Sequence, residues 1–294
     1  MLTGVAALWG AATGLLVPRA AYRFSVEPEE AWRDTCPAGH PFRGGARGWL
    51  GSTRCAACAA GAAGTTAQSS TAAVAAPPEE RAEPNEPVET AGSADTSTRE
   101  DDGREGDPGA EPAARYAPAV LAPVATAVGC AALAAATGLR PELAVWLLLA
   151  PVAVLLATID RRVHRLPDQL TLPLAGAAVV LLGGAALLPE HAGSWLSALF
   201  GGLALGGFYF LLFLINPNGM GFGDVKLALS LGVALGWYGW AVVFAGGFAG
   251  FVLGAVYGFG LVILRRAGRR TGIPFGPFMI AGALLGILFG GLAA

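Results

Sequence analysis

Two aspartates stand where an acid–base pair could work. Asp160 closes the apolar run Val152-Ala-Val-Leu-Leu-Ala-Thr-Ile-Asp160 just before Arg161, and Asp224 ends the turn Gly219-Met-Gly-Phe-Gly-Asp224 just before another apolar run. An ionisable group at membrane depth is costly and usually functional. Two carboxylates held close together cannot both ionise comfortably, so they share a proton. One then activates a water while its protonated partner polarises a carbonyl, which is the chemistry of an aspartic peptidase. Five acids lie beyond Tyr116: Glu142, Asp160, Asp168, Glu190 and Asp224. Glu142 and Glu190 fall in expected outer loops, where a charge is solvated. Asp168, in Leu166-Pro-Asp-Gln-Leu-Thr171, opens the next apolar run without flanking glycines and reads as a helix cap. Capping is the competing reading for Asp224 too, yet Gly221 and Gly223 add backbone freedom and room for close approach beyond what a cap needs.

Other chemistries find less support. His164 and His191 are the histidines beyond Tyr116, too few for a metal cluster in that part of the chain. No strand–glycine–helix phosphate site is present and nothing suggests a nucleic-acid partner. Nearer the N-terminus, Cys36-Pro-Ala-Gly-His40 and Cys55-Ala-Ala-Cys58 are separated by 14 residues. Cys36, His40, Cys55 and Cys58 have the identities and spacing of a zinc knuckle, with a purely structural or decayed loop as the alternative. With Cys130 inside an apolar run, the four cysteines are too scattered for a disulfide scaffold.

The elements that must position these residues are membrane helices. The chain has 294 residues, 54% of them hydrophobic and 14% charged, with a mean hydropathy of +0.55. That is too apolar for an ordinary soluble domain. Apolar runs near 2–18, 117–138, 141–159, 169–188, 195–215, 225–237, 239–264 and 275–293 predict an all-α polytopic protein with about eight transmembrane helices. The short 225–237 run is the weakest of them. The first run lacks a preceding Lys or Arg and is followed by Arg19 and Arg23, which favours a retained helix with its N-terminus outside. From there, Arg161, Arg162, Arg165, Lys226, Arg265, Arg266, Arg269 and Arg270 all fall on the inner side and Arg140 on the outer, as charge bias requires. Trp195, Trp237 and Trp240 then sit at outer ends as belt aromatics. The expected organisation is a first transmembrane helix over 1–23, a cytoplasmic Cys/His loop over 24–58, a disordered linker over 59–115 and a membrane domain over 116–294. The linker holds 12 of the 21 acids and almost nothing to bury.

Three segments carry a family resemblance. Ile159-Asp-Arg-Arg-Val-His-Arg-Leu-Pro-Asp-Gln-Leu-Thr-Leu-Pro173, Gly221-Phe-Gly-Asp-Val-Lys-Leu227 and Ile273-Pro-Phe-Gly-Pro-Phe278 resemble, in order and spacing, the bacterial prepilin peptidases, membrane aspartyl proteases of the Gly-x-Gly-Asp type. The likeness extends over 116–294. It implies Asp160 and Asp224 as the catalytic pair, with Asp168 at a position not assigned to catalysis. Gly221, Gly223, Lys226, Pro274, Gly276 and Pro277 become active-site or substrate-binding residues, the Pro274–Pro277 break exposing backbone to an extended substrate. It further implies cleavage of a short basic leader after glycine, from type IV pilin or pseudopilin precursors, at the cytoplasmic face of the cell membrane. The peptidase step needs no cofactor. Longer members of the family have two Cys-x-x-Cys pairs in the first loop and N-methylate the new terminus from S-adenosylmethionine. Here Gly39 replaces one cysteine and His40 lies one position late, which puts that second activity in question. Two rival readings remain. Presenilin-like proteases resemble Tyr-Asp and Pro-Ala-Leu motifs, absent here, and a proton- or ion-coupled transporter calls for acids near mid-membrane.

Overall fold

The computed structural model describes residues 1–27, 30–49, 51, 53–60, 120–217, 219–264 and 273–294. The acidic linker expected over 59–115 lies almost wholly outside them, as do Arg265, Arg266, Arg269 and Arg270. Two units are distinguished, residues 1–53 with 115–294 and residues 54–114. In the second the description covers 54–60, a helical turn in which the Ala59 amide donates to the Cys55 carbonyl at 3.0 Å.

The first unit is helical among its described residues. Helices α1 (Leu2–Gly14) and α2 (Val17–Phe24) precede α3 (Leu121–Thr137), α4 (Pro141–Val163), α5 (Asp168–Ala185), α6 (Trp195–Ile215), α7 (Phe222–Gly236), α8 (Trp240–Ile263) and α9 (Gly276–Ala293). Every apolar run read from the sequence is therefore helical. Six spans among the described residues are long and apolar enough to cross a membrane: Leu2–Phe24, α4, α5, α6, α8 and α9. The other two runs are short, α3 with 17 residues and α7 with 15. At 1.5 Å per residue, α7 reaches only about 22 Å, less than a hydrocarbon core of about 30 Å.

Its surroundings explain that shortness. α7 packs against α5, α6, α8 and α9, and Leu227, Ala228 and the whole stretch Ser230–Gly236 are buried. It is the core of the bundle rather than a lipid-facing pass. Association in lipid relies on close backbone packing, which small residues permit. A Cβ on Gly232 would come within 2.5 Å of the Gly201 carbonyl oxygen, and one on Gly236 within 2.6 Å of the Ser197 carbonyl oxygen. By contrast α8 turns Phe244, Phe248, Val256 and Phe259 outward, an apolar face suited to lipid.

α4 and α9 run antiparallel. The Gly276 amide meets Asp160 at one end, and at the other Arg140 Nη1 donates to the Gly291 carbonyl at 3.2 Å. Two expectations for that second end are overturned. Glu142 is 0% exposed; its Oε1 accepts from the Ala192 amide at 3.3 Å and its Oε2 has no hydrogen-bond partner among the described residues. Trp237, read as a belt aromatic, is 1% exposed. Its carbonyl accepts the Ser194 amide at 2.9 Å, so the 190–194 loop folds over the end of α7 and seals both side chains from solvent.

Candidate active site

Asp160 lies in the last turn of α4, which ends at His164 in the left-handed conformation (φ 49, ψ 40). The turn places Asp160 inward, with 4% exposure. Its Oδ2 accepts the Gly276 amide at 2.9 Å. That amide is free to donate because Gly276 is the first residue of α9, where backbone N–H groups lack intrahelical partners. Hydrogen bonds to a charged acceptor contribute roughly 1.5–3 kcal/mol, so this contact fixes the carboxylate against the helix terminus.

Asp224 is the third residue of α7, after the N-cap Gly221. Its Oδ2 accepts the Gly221 amide at 3.3 Å and its own amide donates to the Gly221 carbonyl at 3.0 Å. The capping alternative thus describes part of its bonding, yet Asp224 is 9% exposed, far more buried than a surface cap. The glycines differ from expectation. Neither Gly221 nor Gly223 has a positive φ. A Cβ on Gly221 would meet only ordinary contact at 3.6 Å, whereas one on Gly223 would lie 2.9 Å from Leu166 Cβ. Gly223 therefore serves close approach, letting the Asp224 turn pack on Leu166 in the connector that follows Asp160.

This packing draws the aspartates to one end of the bundle. They stand near enough for the charge of Asp160 to act on Asp224. Pro274 belongs to the strap leading into α9, and Pro277 is its second residue. One side chain departs from its reading. Pro167, not Asp168, is the N-cap of α5. Asp168 instead pairs with Lys226, Oδ1 to Nζ, at 2.6 Å, and Lys226 also lies over the Phe222 ring at 4.7 Å. Sequence reasoning missed Tyr209, which is 1% exposed and close enough to Asp224 to feel its charge. The lone hydroxyl in Gly206-Gly-Phe-Tyr-Phe210 was the available signal.

The architecture is that of a carboxylate pair on antiparallel helix ends. Residues 147–291 match the type IV leader peptidase family. This region of the chain belongs to that family. The leader peptidase region starts later than the 116–294 resemblance drawn from the motifs, and it contains Asp160, Asp224 and Gly276. The prepilin leader peptidase/N-methyltransferase of Aeromonas salmonicida (strain A449) is 38% identical over 147 residues, 49% of this chain and 48% of that protein. The protein of the same name from Pseudomonas aeruginosa is 34% identical over 143 residues, 46% of each chain. That from Bacillus subtilis (strain 168) is 37% identical over 108 residues, 36% of this chain and 42% of its own. The chain spans about half the length of these first relatives or less. No solved structure matches.

Cys36 and His40 lie in a tight turn of the first unit. The Cys36 amide donates to the His40 carbonyl and the Gly39 amide to the Cys36 carbonyl, each at 2.9 Å. Gly39 has φ 78, a conformation that favours glycine. His40 Nδ1 is thereby set 3.6 Å from Cys36 Sγ. Glycine at the third position after Cys36 suits this turn, and the imidazole is carried by the residue that follows it. Cys55 and Cys58, the other two residues of the expected zinc knuckle, belong to the second unit.

Proposed function

We propose that the chain is a prepilin leader peptidase, cutting a basic leader after glycine from type IV pilin-like precursors at the cytoplasmic face of the cell membrane. The observation that carries this reading is the pair of buried aspartates at one end of the bundle, with Asp160 tied to the Gly276 amide at 2.9 Å. One carboxylate takes a proton from water as its oxygen attacks the scissile carbonyl. The other, protonated, donates to the carbonyl oxygen; collapse of the tetrahedral species returns a proton to the leaving amine. Gly221, Gly223, Pro274, Gly276 and Pro277 shape the approach to the pair. A groove of about 380 Å³ is lined in part by Thr158, Arg161, Arg162 and Pro277, residues that adjoin Asp160 and Gly276 in the sequence. A transporter is disfavoured, because the acids sit in the last turn of α4 and the first of α7 rather than mid-span.

In this reading Lys226 steadies the α7 turn through Asp168 rather than gripping substrate. Asp168 is exposed and Lys226 only partly so; a solvent-facing pair contributes about 0.2–1 kcal/mol. Asp168→Lys or Lys226→Asp alone should therefore slow cleavage only severalfold, and the double charge exchange should restore it. Equal loss in the double variant would return Lys226 to substrate contact.

A second step, N-methylation of the new terminus, is supported by the names of the relatives and by the identities and spacing of the Cys and His residues in the sequence. Cys36, His40, Cys55 and Cys58 would hold zinc as structural support, with S-adenosylmethionine as methyl donor. The test is incubation of the purified protein with a synthetic prepilin, with and without S-adenosylmethionine, read by mass spectrometry. The expected products are a chain shortened by its leader, then the same chain heavier by one methyl group. An intact precursor sinks the peptidase; a shortened but never methylated product sinks the second step alone.

A further inference from the structure

The amide that holds Asp160 depends on where the strap before α9 lies. That strap, Ile273-Pro274-Phe275, has one aromatic side chain, and Phe275 is the residue immediately before Gly276. Its ring is 5.3 Å from that of Phe251 on α8 and 6.1 Å from that of Tyr209 on α6, centroid to centroid. Tyr209 and Phe251 in turn stack at 5.4 Å with an interplanar angle of 28°. Three rings from three elements thus close into one cluster. Aromatic pairs at such separations attract one another beyond what burial alone supplies. Tyr209 also neighbours Asp224. The cluster is therefore joined to Asp160 through Phe275 and Gly276, and its Tyr209 lies near enough to Asp224 to feel its charge.

We propose that the Tyr209–Phe251–Phe275 ring cluster is a positioning device for the peptidase, with Tyr209 setting the spacing of Asp160 and Asp224. This rests on the peptidase reading above. Rings suit the task because each has two side-chain torsions and, once stacked, resists sliding. Leucine would fill similar space but could not hold the strap in one plane. Since a misplacement of about 1 Å can lower turnover about a hundredfold, loss of the stack is felt in kcat rather than in binding.

The test is steady-state cleavage of a synthetic prepilin by purified Tyr209→Leu, Phe275→Leu and Tyr209→Phe variants, each with a melting curve. In the leucine variants kcat falls about tenfold or more while KM stays within about twofold. Tyr209→Phe, which keeps the ring, restores most of kcat. Wild-type kcat in Tyr209→Leu, or a change confined to KM, overturns the proposal. So does equal loss in Tyr209→Phe, because the hydroxyl and not the ring would then matter. If Tyr209→Leu does not fold, Phe275→Leu at the cluster's far side decides. A wild-type protein unable to cut the precursor removes the peptidase reading itself, and this inference with it.

Discussion

Asp224→Asn stops leader cleavage while the protein remains folded in the membrane, and Asp160→Asn does the same. An asparagine carbonyl can still accept the Gly221 amide that Asp224 Oδ2 accepts at 3.3 Å, and likewise the Gly276 amide bonded to Asp160. Shape and the local hydrogen bonds are kept. What is lost is the ability to take up and release a proton, worth about 10²–10⁴ in rate for a positioned acid or base. Because the two groups act as a unit, the double variant should be little worse than either single one. Cleavage of a synthetic prepilin on a gel, beside the melting temperature of each variant, checks both halves. Full cleavage by Asp224→Asn would end the assignment of the pair.

Gly276→Ala should separate activity from stability just as clearly. A Cβ there would lie 2.8 Å from Asp160 Oδ2 and 3.2 Å from its Cγ. The obstructed group is the end of a side chain, which can rotate away, so the helix bundle tolerates the change. The carboxylate cannot keep its bond to the 276 amide while it moves. A displacement near 1 Å costs about a hundredfold in turnover, so kcat should fall by about that factor with the melting temperature almost unchanged. A variant cleaving at the wild-type rate would show that the 2.9 Å contact does not set the reactive geometry.

How far such features were legible in the sequence depends on what each signal measures. Asp160 and Asp224 stood out because charge is rare in this membrane part and each sits at the edge of an apolar run. The three motifs then gave them an order. Asp168 stood out for the same reason but was misread. A helix-opening acid looks like a cap until a lysine 58 positions later, on another helix, is seen beside it. Glu142 failed in the opposite direction, since loop position suggests solvation and only the folded 190–194 segment shows that it is covered. Gly276 was singled out as a motif residue, but its role as a hydrogen-bond donor could not be read from a glycine whose amide partner lies 116 residues away.

The sequence by itself determined that this is a helical membrane protein, where its apolar segments fall, that a Cys/His segment follows the first of them, and which two acids are out of place. The tertiary structure alone decided that α7 is packed among four other helices, that Gly223 lets the Asp224 turn rest on Leu166, and that the rings of Tyr209 and Phe251 stand against Phe275 in the strap before α9. The reason is physical. Hydropathy measures how readily a segment leaves water, and lipid tails and a helix-bundle interior are equally apolar. A run of Ala, Gly, Leu and Val is therefore identified as a helix that avoids water, and only its neighbours settle whether it faces lipid or lies in the core.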